Sequence, residues 1–132
     1  MQHFFPIRVY YEDTDAGGVV YHARYLHFFE RARTEWLRDL GFSQQHLLAQ
    51  SIAFVVKTMK IDYKTPARLD DQLTVETQVQ AIKGARIIFQ QRLLKADCCL
   101  CEAEVVVASV NLVKMKPISI PEHIKQALTQ AN

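Results

Sequence analysis

The chain has 132 residues, 49% of them apolar and 23% charged, with a formal net charge of +2. A chain of that size buries a core without staples, and its composition excludes disorder and low complexity. The charge is too mild to argue for nucleic acid or an anionic membrane as partner.

His3 to Tyr11 carries apolar and β-branched side chains and reads as a first strand, with neither a signal peptide before it nor an apolar run long enough for a bilayer anywhere. A cytoplasmic protein of one domain, residues 1–132, is therefore expected. A loop follows, Glu12 to Gly18, dense in carboxylate and glycine. From Tyr21 to Leu40, Tyr25, Phe28, Phe29, Ala32, Trp36 and Leu40 recur at three- and four-residue spacing, with Leu26 and Leu37 widening the stripe. That predicts a long helix heavily covered by other structure. Gly41 stands where a helix ends, and Ser43 is placed to cap a short second helix through Gln50.

The remainder reads as strands: Ile52 to Tyr63, Leu73 to Val79, Arg86 to Leu94 and Leu100 to Leu112, with a turn at Thr65 to Asp71 and a break at Gly84. Pro117 and Pro121 close the strand region, and Pro121 suits the first turn of a C-terminal helix. Consecutive strands with short turns favour an antiparallel sheet. Periodicity alone gives α+β; an antiparallel sheet of about five strands curled around one long central helix satisfies every pattern. The three cysteines, Cys98, Cys99 and Cys101, sit in one stretch and read as reduced thiols, neither a disulfide framework nor a zinc set.

The segment with chemical potential is Asp13-Thr14-Asp15-Ala16-Gly17-Gly18-Val19-Val20-Tyr21-His22, which joins a strand to a helix. Glycines let backbone approach a ligand, and a helix start offers unpaired N–H groups and a positive dipole end. A carboxylate beside such donors suits acyl transfer: the donors hold an oxyanion while the carboxylate attacks or activates water. Loop carboxylates more often serve as caps and turn residues, so the arrangement alone leaves both readings open. A calcium loop fails, because its fifth and twelfth positions counted from Asp13 hold Gly17 and Arg24. No serine-hydrolase elbow, His-Glu-x-x-His, dinucleotide or Walker motif occurs. His22 lies beside the loop; Glu30, on the helix, reads as a solvated glutamate. Lys83 and Arg86 flank a strand turn and are candidates for phosphate contact.

Val9 to Tyr25, with its Glu12-Asp13-Thr14-Asp15-Ala16-Gly17-Gly18 core, resembles the signature of the Tol–Pal-associated acyl-CoA thioesterases, in the 4-hydroxybenzoyl-CoA thioesterase-like group of hotdog proteins. The resemblance runs over nearly the whole chain and includes Phe28 to Glu35, Ala67 to Asp71 and Lys114 to Pro117. It implies a hotdog fold, a catalytic carboxylate at Asp15, acting as nucleophile or general base, and an oxyanion donor near His22. It further implies substrate contact at Gly17, Gly18, Val19 and Tyr21, and CoA phosphates on cations such as Lys83 and Arg86. No metal and no cofactor are implied. The expected partners are acyl-CoA, or acyl carrier protein, and further copies of the chain, as a dimer joined edge to edge or a dimer of dimers. Two other readings compete: a hotdog dehydratase, recruiting His22 or His27 with Glu30, and a non-enzymatic partner of acyl carriers or envelope-biosynthesis enzymes.

Overall fold

The computed structural model describes residues 2–131. Its strands are β1 (His3–Arg8), β2 (Ile52–Tyr63), β3 (Gln72–Lys83), β4 (Arg86–Lys95), β5 (Cys98–Asn111) and the two-residue β6 (Lys116–Pro117). Its helices are α1 (Arg24–Asp39), α2 (Gln44–Ala49) and α3 (Glu122–Ala131). The sheet runs β1-β3-β4-β5-β2, antiparallel throughout, with β6 added to β5. It curls about α1, the longest helix at 16 residues, and this is the hotdog arrangement.

Strand alternation decides which face holds the core. Leu73, Val75 and Val79 of β3, Ile87, Phe89 and Leu93 of β4, and Cys101, Ala103, Val105 and Val107 of β5 are buried on the inner face. Against them α1 buries Tyr25, Phe28, Phe29, Ala32, Trp36 and Leu37. Each valine, leucine, isoleucine or phenylalanine among them stabilises the fold by roughly 1.5–3 kcal/mol of transfer free energy. Leu26, expected to widen that stripe, is instead 40% exposed.

One polar cluster crosses this core. Arg33, buried on α1, donates to Gln91 Oε1 at 2.9 Å, and Gln91 Nε2 donates to Phe29 O and Thr77 Oγ1, both at 3.0 Å. Burial pushes the Arg33 guanidinium down to about 10, although Glu30 nearby opposes the shift. Buried polar groups persist where they are bonded, and Gln91 meets that condition inside an otherwise apolar row.

Both predicted caps form. Gly41 adopts φ +97°, and the Gly41 and Phe42 amides return to Arg38 O and Leu37 O, closing α1 in a Schellman motif. Ser43 Oγ accepts from His46 N at the start of α2. Boundaries differ from the sequence reading by two residues or more in four places. β1 stops at Arg8, because Tyr11–Asp13 winds into a 3₁₀ turn. The helix starts at Arg24 rather than Tyr21. β3 continues to Lys83 across a bulge between Val79 and Ala81. β5 starts at Cys98, placing that thiol exposed and Cys101 buried, where desolvation pushes it up to about 12. No helix among the described residues is long and apolar enough to cross a membrane.

Candidate active site

The acidic loop is a miniature hairpin. Thr14 bridges Val20, Asp15 N donates to Val19 O (2.9 Å), and Gly18 N closes the turn on Asp15 O (3.1 Å). Gly18 takes φ +79°, a conformation that costs any side chain about 1 kcal/mol or more. The hairpin leans on the β2–β3 connection: Val19 bridges Arg68, and Val20 N donates to Ala67 O (2.8 Å). That connection is itself braced, with Asp71 accepting from Arg68 N (2.9 Å) and from Lys95 Nζ (2.9 Å).

The two aspartates of the loop have different surroundings. Asp13 is buried; its Oδ2 accepts from Tyr10 N at 2.9 Å and its Oδ1 lies 3.7 Å from Arg24 Nε. Asp15 is exposed, and the one hydrogen bond to its carboxylate among the described residues comes from Gly17 N, 2.8 Å from Oδ1. A Cβ at Gly17 would stand 3.3 Å from that same oxygen. The carboxylate is thus oriented by one backbone donor and otherwise open.

Beyond the hairpin the chain enters α1 without a capping side chain. Tyr21 N donates to Asp13 O and Arg24 N to Tyr21 O, while the amides of His22 and Ala23 have no partner among the described residues. Orphan N–H groups at the positive end of a 16-residue helix form a ready anion site. The His22 carbonyl is pinned by Tyr63 Oη at 2.8 Å, so β2 fixes the direction of this backbone. The His22 ring lies between Tyr21 and Tyr63, with centroids 4.4 and 6.5 Å away. It makes no hydrogen bond to Asp15 among the described residues.

Tyr25 joins the constellation from beneath, accepting from Ala67 N at 3.0 Å and packing edge-on to Tyr63. Burial raises its phenol above the ordinary range, and the negative charge of Asp15 adds to that rise. Val20, His22, Tyr25, Tyr63, Lys64, Thr65 and Pro66 line an open pocket of about 230 Å³ at the helix start. A second cavity, about 200 Å³, lies farther along α1 between Glu30, Arg33 and Leu37 and the inner face of β2 at Phe54 and Val56.

Asp15, Gly17, Gly18 and Val19 share the hairpin, Tyr21 and His22 follow it toward α1, and of these six only His22 lines the pocket at the helix start. Lys83 and Arg86 do not join them: they pair with each other across the β3–β4 turn, at the end of the sheet remote from the hairpin. From Gln72, which faces Arg8, β3 travels roughly 35 Å to Lys83 at strand rise. Glu30 is exposed and accepts from Thr34 Oγ1 (2.9 Å). Sequence reasoning missed Tyr63 and Tyr25, because a tyrosine ending a strand or buried on a helix carries no signal of its partner.

The chain matches the thioesterase-like superfamily over residues 9–128. It is 64% identical over 124 residues to the acyl-CoA thioesterase YbgC of Haemophilus influenzae, covering 93% of this chain and 91% of that protein. It is 54% identical over 120 residues to the acyl-CoA thioester hydrolase YbgC of Escherichia coli O6:H1, covering 90% of each. Among solved structures it resembles a probable thioesterase from Bartonella henselae, with 44% identity and a TM-score of 0.86 over 92% of this chain and 100% of that one.

Proposed function

This chain belongs to the thioesterase-like superfamily, and from that premise we propose that it hydrolyses acyl-CoA with Asp15 as its catalytic carboxylate. The activity itself, thioester hydrolysis of acyl-CoA, is that of relatives sharing more than half their residues with it over nine-tenths of the chain. The observation that carries the assignment of Asp15 is the contrast within the loop: Asp13 is engaged on both oxygens, whereas the Asp15 carboxylate is exposed with one backbone donor, on the hairpin that leads into the helix start.

In this reading the thioester carbonyl oxygen lies on the His22 and Ala23 amides, and Gly17, Gly18, Val19 and Tyr21 form the wall through which the thioester reaches Asp15. Charge developing on that oxygen is stabilised by donors worth ~3–4 kcal/mol each in other hydrolases. Asp15 either takes a proton from water as it attacks, or attacks itself and is released by water. In the first route Asp15 passes water's proton to the departing thiolate; in the second the thiolate leaves as the Asp15 anhydride forms, and the water that opens the anhydride supplies the thiolate's proton. In both, water's second proton goes to solvent as the acid ionises. The role of His22 is its backbone amide, with its ring packing against the entering thioester arm. No residue here requires a metal for this chemistry, since a thioester carbonyl is electrophilic unaided.

Two further elements of the reading concern assembly and substrate. Of the two sheet edges, β1 is short and carries Pro6, which has no N–H to offer. β2 has twelve residues, no proline, and exposed Val55 and Val56. A dimer joined through β2 covers that edge, and a dimer of dimers is the next assembly. Acyl carrier protein thioesters present the same bond on the same pantetheine arm and are the second substrate class, in keeping with a reaction in the cytoplasm.

The test is free-thiol release from short-, medium-, long-chain and aromatic acyl-CoAs by wild type and Asp15→Asn side by side. The expected result is release by wild type and none by the variant. Equal release by a folded Asp15→Asn protein overturns the assignment.

A further inference from the structure

Each of the two unpaired amides at the start of α1 belongs to a peptide whose carbonyl is held, and the holders differ in kind. A peptide is planar and trans, so its C=O and N–H point in opposite directions and cannot turn separately. The peptide that carries the His22 N–H has its carbonyl, Tyr21 O, on Arg24 N at 2.8 Å, a bond local to the turn. The peptide that carries the Ala23 N–H has its carbonyl, His22 O, on Tyr63 Oη at 2.8 Å, a bond between residues 41 apart in sequence. No backbone amide donates to His22 O among the described residues, so the phenol is its one anchor there.

Tyr63 is placed firmly enough to serve as that anchor. It ends β2, paired with Cys101 of β5, and the next two amides, Lys64 N and Thr65 N, both close on Leu100 O at 2.9 and 3.0 Å. Tyr25 meets its ring edge-on with centroids 5.2 Å apart, and Tyr25 is itself held by the Ala67 amide. Partial burial raises the Tyr63 phenol above its ordinary range, so near neutral pH it remains a donor. Tyr63 lies outside the buried core, and packing gives no reason for its hydroxyl.

We infer that Tyr63 is a positioning residue for hydrolysis: its hydroxyl aims the Ala23 N–H at the thioester carbonyl oxygen. The N–H groups of a helix start face off its N-terminal end, and a fixed carbonyl behind one of them keeps it oriented before charge develops on the substrate. The same bond draws electron density from the His22 carbonyl and makes the N–H of that peptide a stronger donor. Without it the peptide turns about its flanking single bonds and the donor loses its aim. The inference rests on the proposed roles of Asp15 and of the two amides, and the experiment separates their failures.

Tyr63→Phe removes the hydroxyl and keeps the ring. The expected result is a kcat lowered about tenfold or more, with KM within a few-fold of wild type. A second readout is one that a merely structural role would not move. Acyl-CoA with an isotope-labelled thioester carbonyl is bound to Asp15→Asn and to Asp15→Asn/Tyr63→Phe, and its carbonyl stretch is recorded by infrared difference spectroscopy. Donors on the carbonyl oxygen lower that frequency. The band should lie below that of free acyl-CoA in Asp15→Asn and return toward the free value in the double variant. It is read on folded, ligand-bound protein, so a lower melting temperature leaves the test decisive. A kcat near wild type in Tyr63→Phe, a loss confined to KM, or equal bands in the two Asp15→Asn backgrounds each overturns the inference. Full turnover by Asp15→Asn would instead overturn the reading of Asp15, and an unshifted band in Asp15→Asn the reading of the amides.

Discussion

The two halves of one short loop have opposite construction. Tyr10 to Thr14 is tied inward: Asp13 is buried, accepts from Tyr10 N and faces Arg24, while its carbonyl receives Tyr21 N. Asp15 to Gly18 is tied only along its backbone, and the Asp15 carboxylate faces solvent with one donor from Gly17. Two aspartates two residues apart thus divide the work. The first holds the hairpin against α1, and the second, free but for the Gly17 amide, is the one to which the proposed reading gives the chemistry. A carboxylate already committed to the fold is a poor nucleophile or base, so the vacancy around Asp15 tells as much as its identity.

The widest separation is expected in turnover. Asp15→Asn should lower kcat on the order of a thousandfold with an unchanged melting temperature. Asp13→Asn should keep a readily measurable fraction of kcat and melt earlier. Steady-state thiol release and thermal unfolding on the same preparations check both. Comparable losses of kcat in two equally folded variants would erase the contrast. Next in size is the stability term. Asp13→Ala removes a buried acceptor of Tyr10 N and leaves that amide and Arg24 without it, a cost of about 1–3 kcal/mol by urea unfolding. A change below experimental error would mean that Asp13 is not what anchors the hairpin.

The glycines sharpen the comparison further. Gly17→Ala places a methyl 3.3 Å from Asp15 Oδ1 without demanding a left-handed backbone, so kcat should fall several-fold at nearly unchanged stability. Gly18→Ala has open space for its methyl but sits at φ +79°, so it should lose about 1 kcal/mol of stability. Reversal of the two patterns would contradict the geometry. The smallest effect concerns the brace below the hairpin. Burial alone would raise the Asp71 carboxyl, but bonds from Lys95 and Arg68 N outweigh it and leave it below 3.8. A lowered folded pKa stabilises above the unfolded value and is lost as pH falls through the folded one. Lys95→Met should therefore flatten the acid-side fall in stability below about pH 4 and leave pH 7 kinetics nearly intact.

Much of this was legible in the sequence because local rules carried it. The periodicity from Tyr25 to Leu37, the Gly41 terminus, the Ser43 cap and the alternation of Leu73 to Val79 each have a short-range cause and each appears in the fold. The start of α1 was read three residues early because Tyr21 and His22 continue the apolar pattern while their backbone closes the hairpin. Long-range pairings left no trace. Nothing near Tyr63 announces His22 O as its acceptor, and nothing near Gln91 announces Arg33. The pairing of Lys83 and Arg86 with a phosphate looked local in sequence, yet the sheet carries both away from Asp15 within one copy. Whether two elements meet depends on sheet order, which no single segment encodes.

The most direct measurement is a single-turnover reaction: excess enzyme is mixed with a hydrolysable acyl-CoA, and thiol release is followed in parallel with equilibrium binding of the same substrate to Asp15→Asn. The account predicts that the variant binds acyl-CoA within a few-fold of the wild-type affinity while the chemical step slows on the order of a thousandfold. A chemical step of wild-type rate in the variant, or a loss that lies wholly in binding, would contradict it.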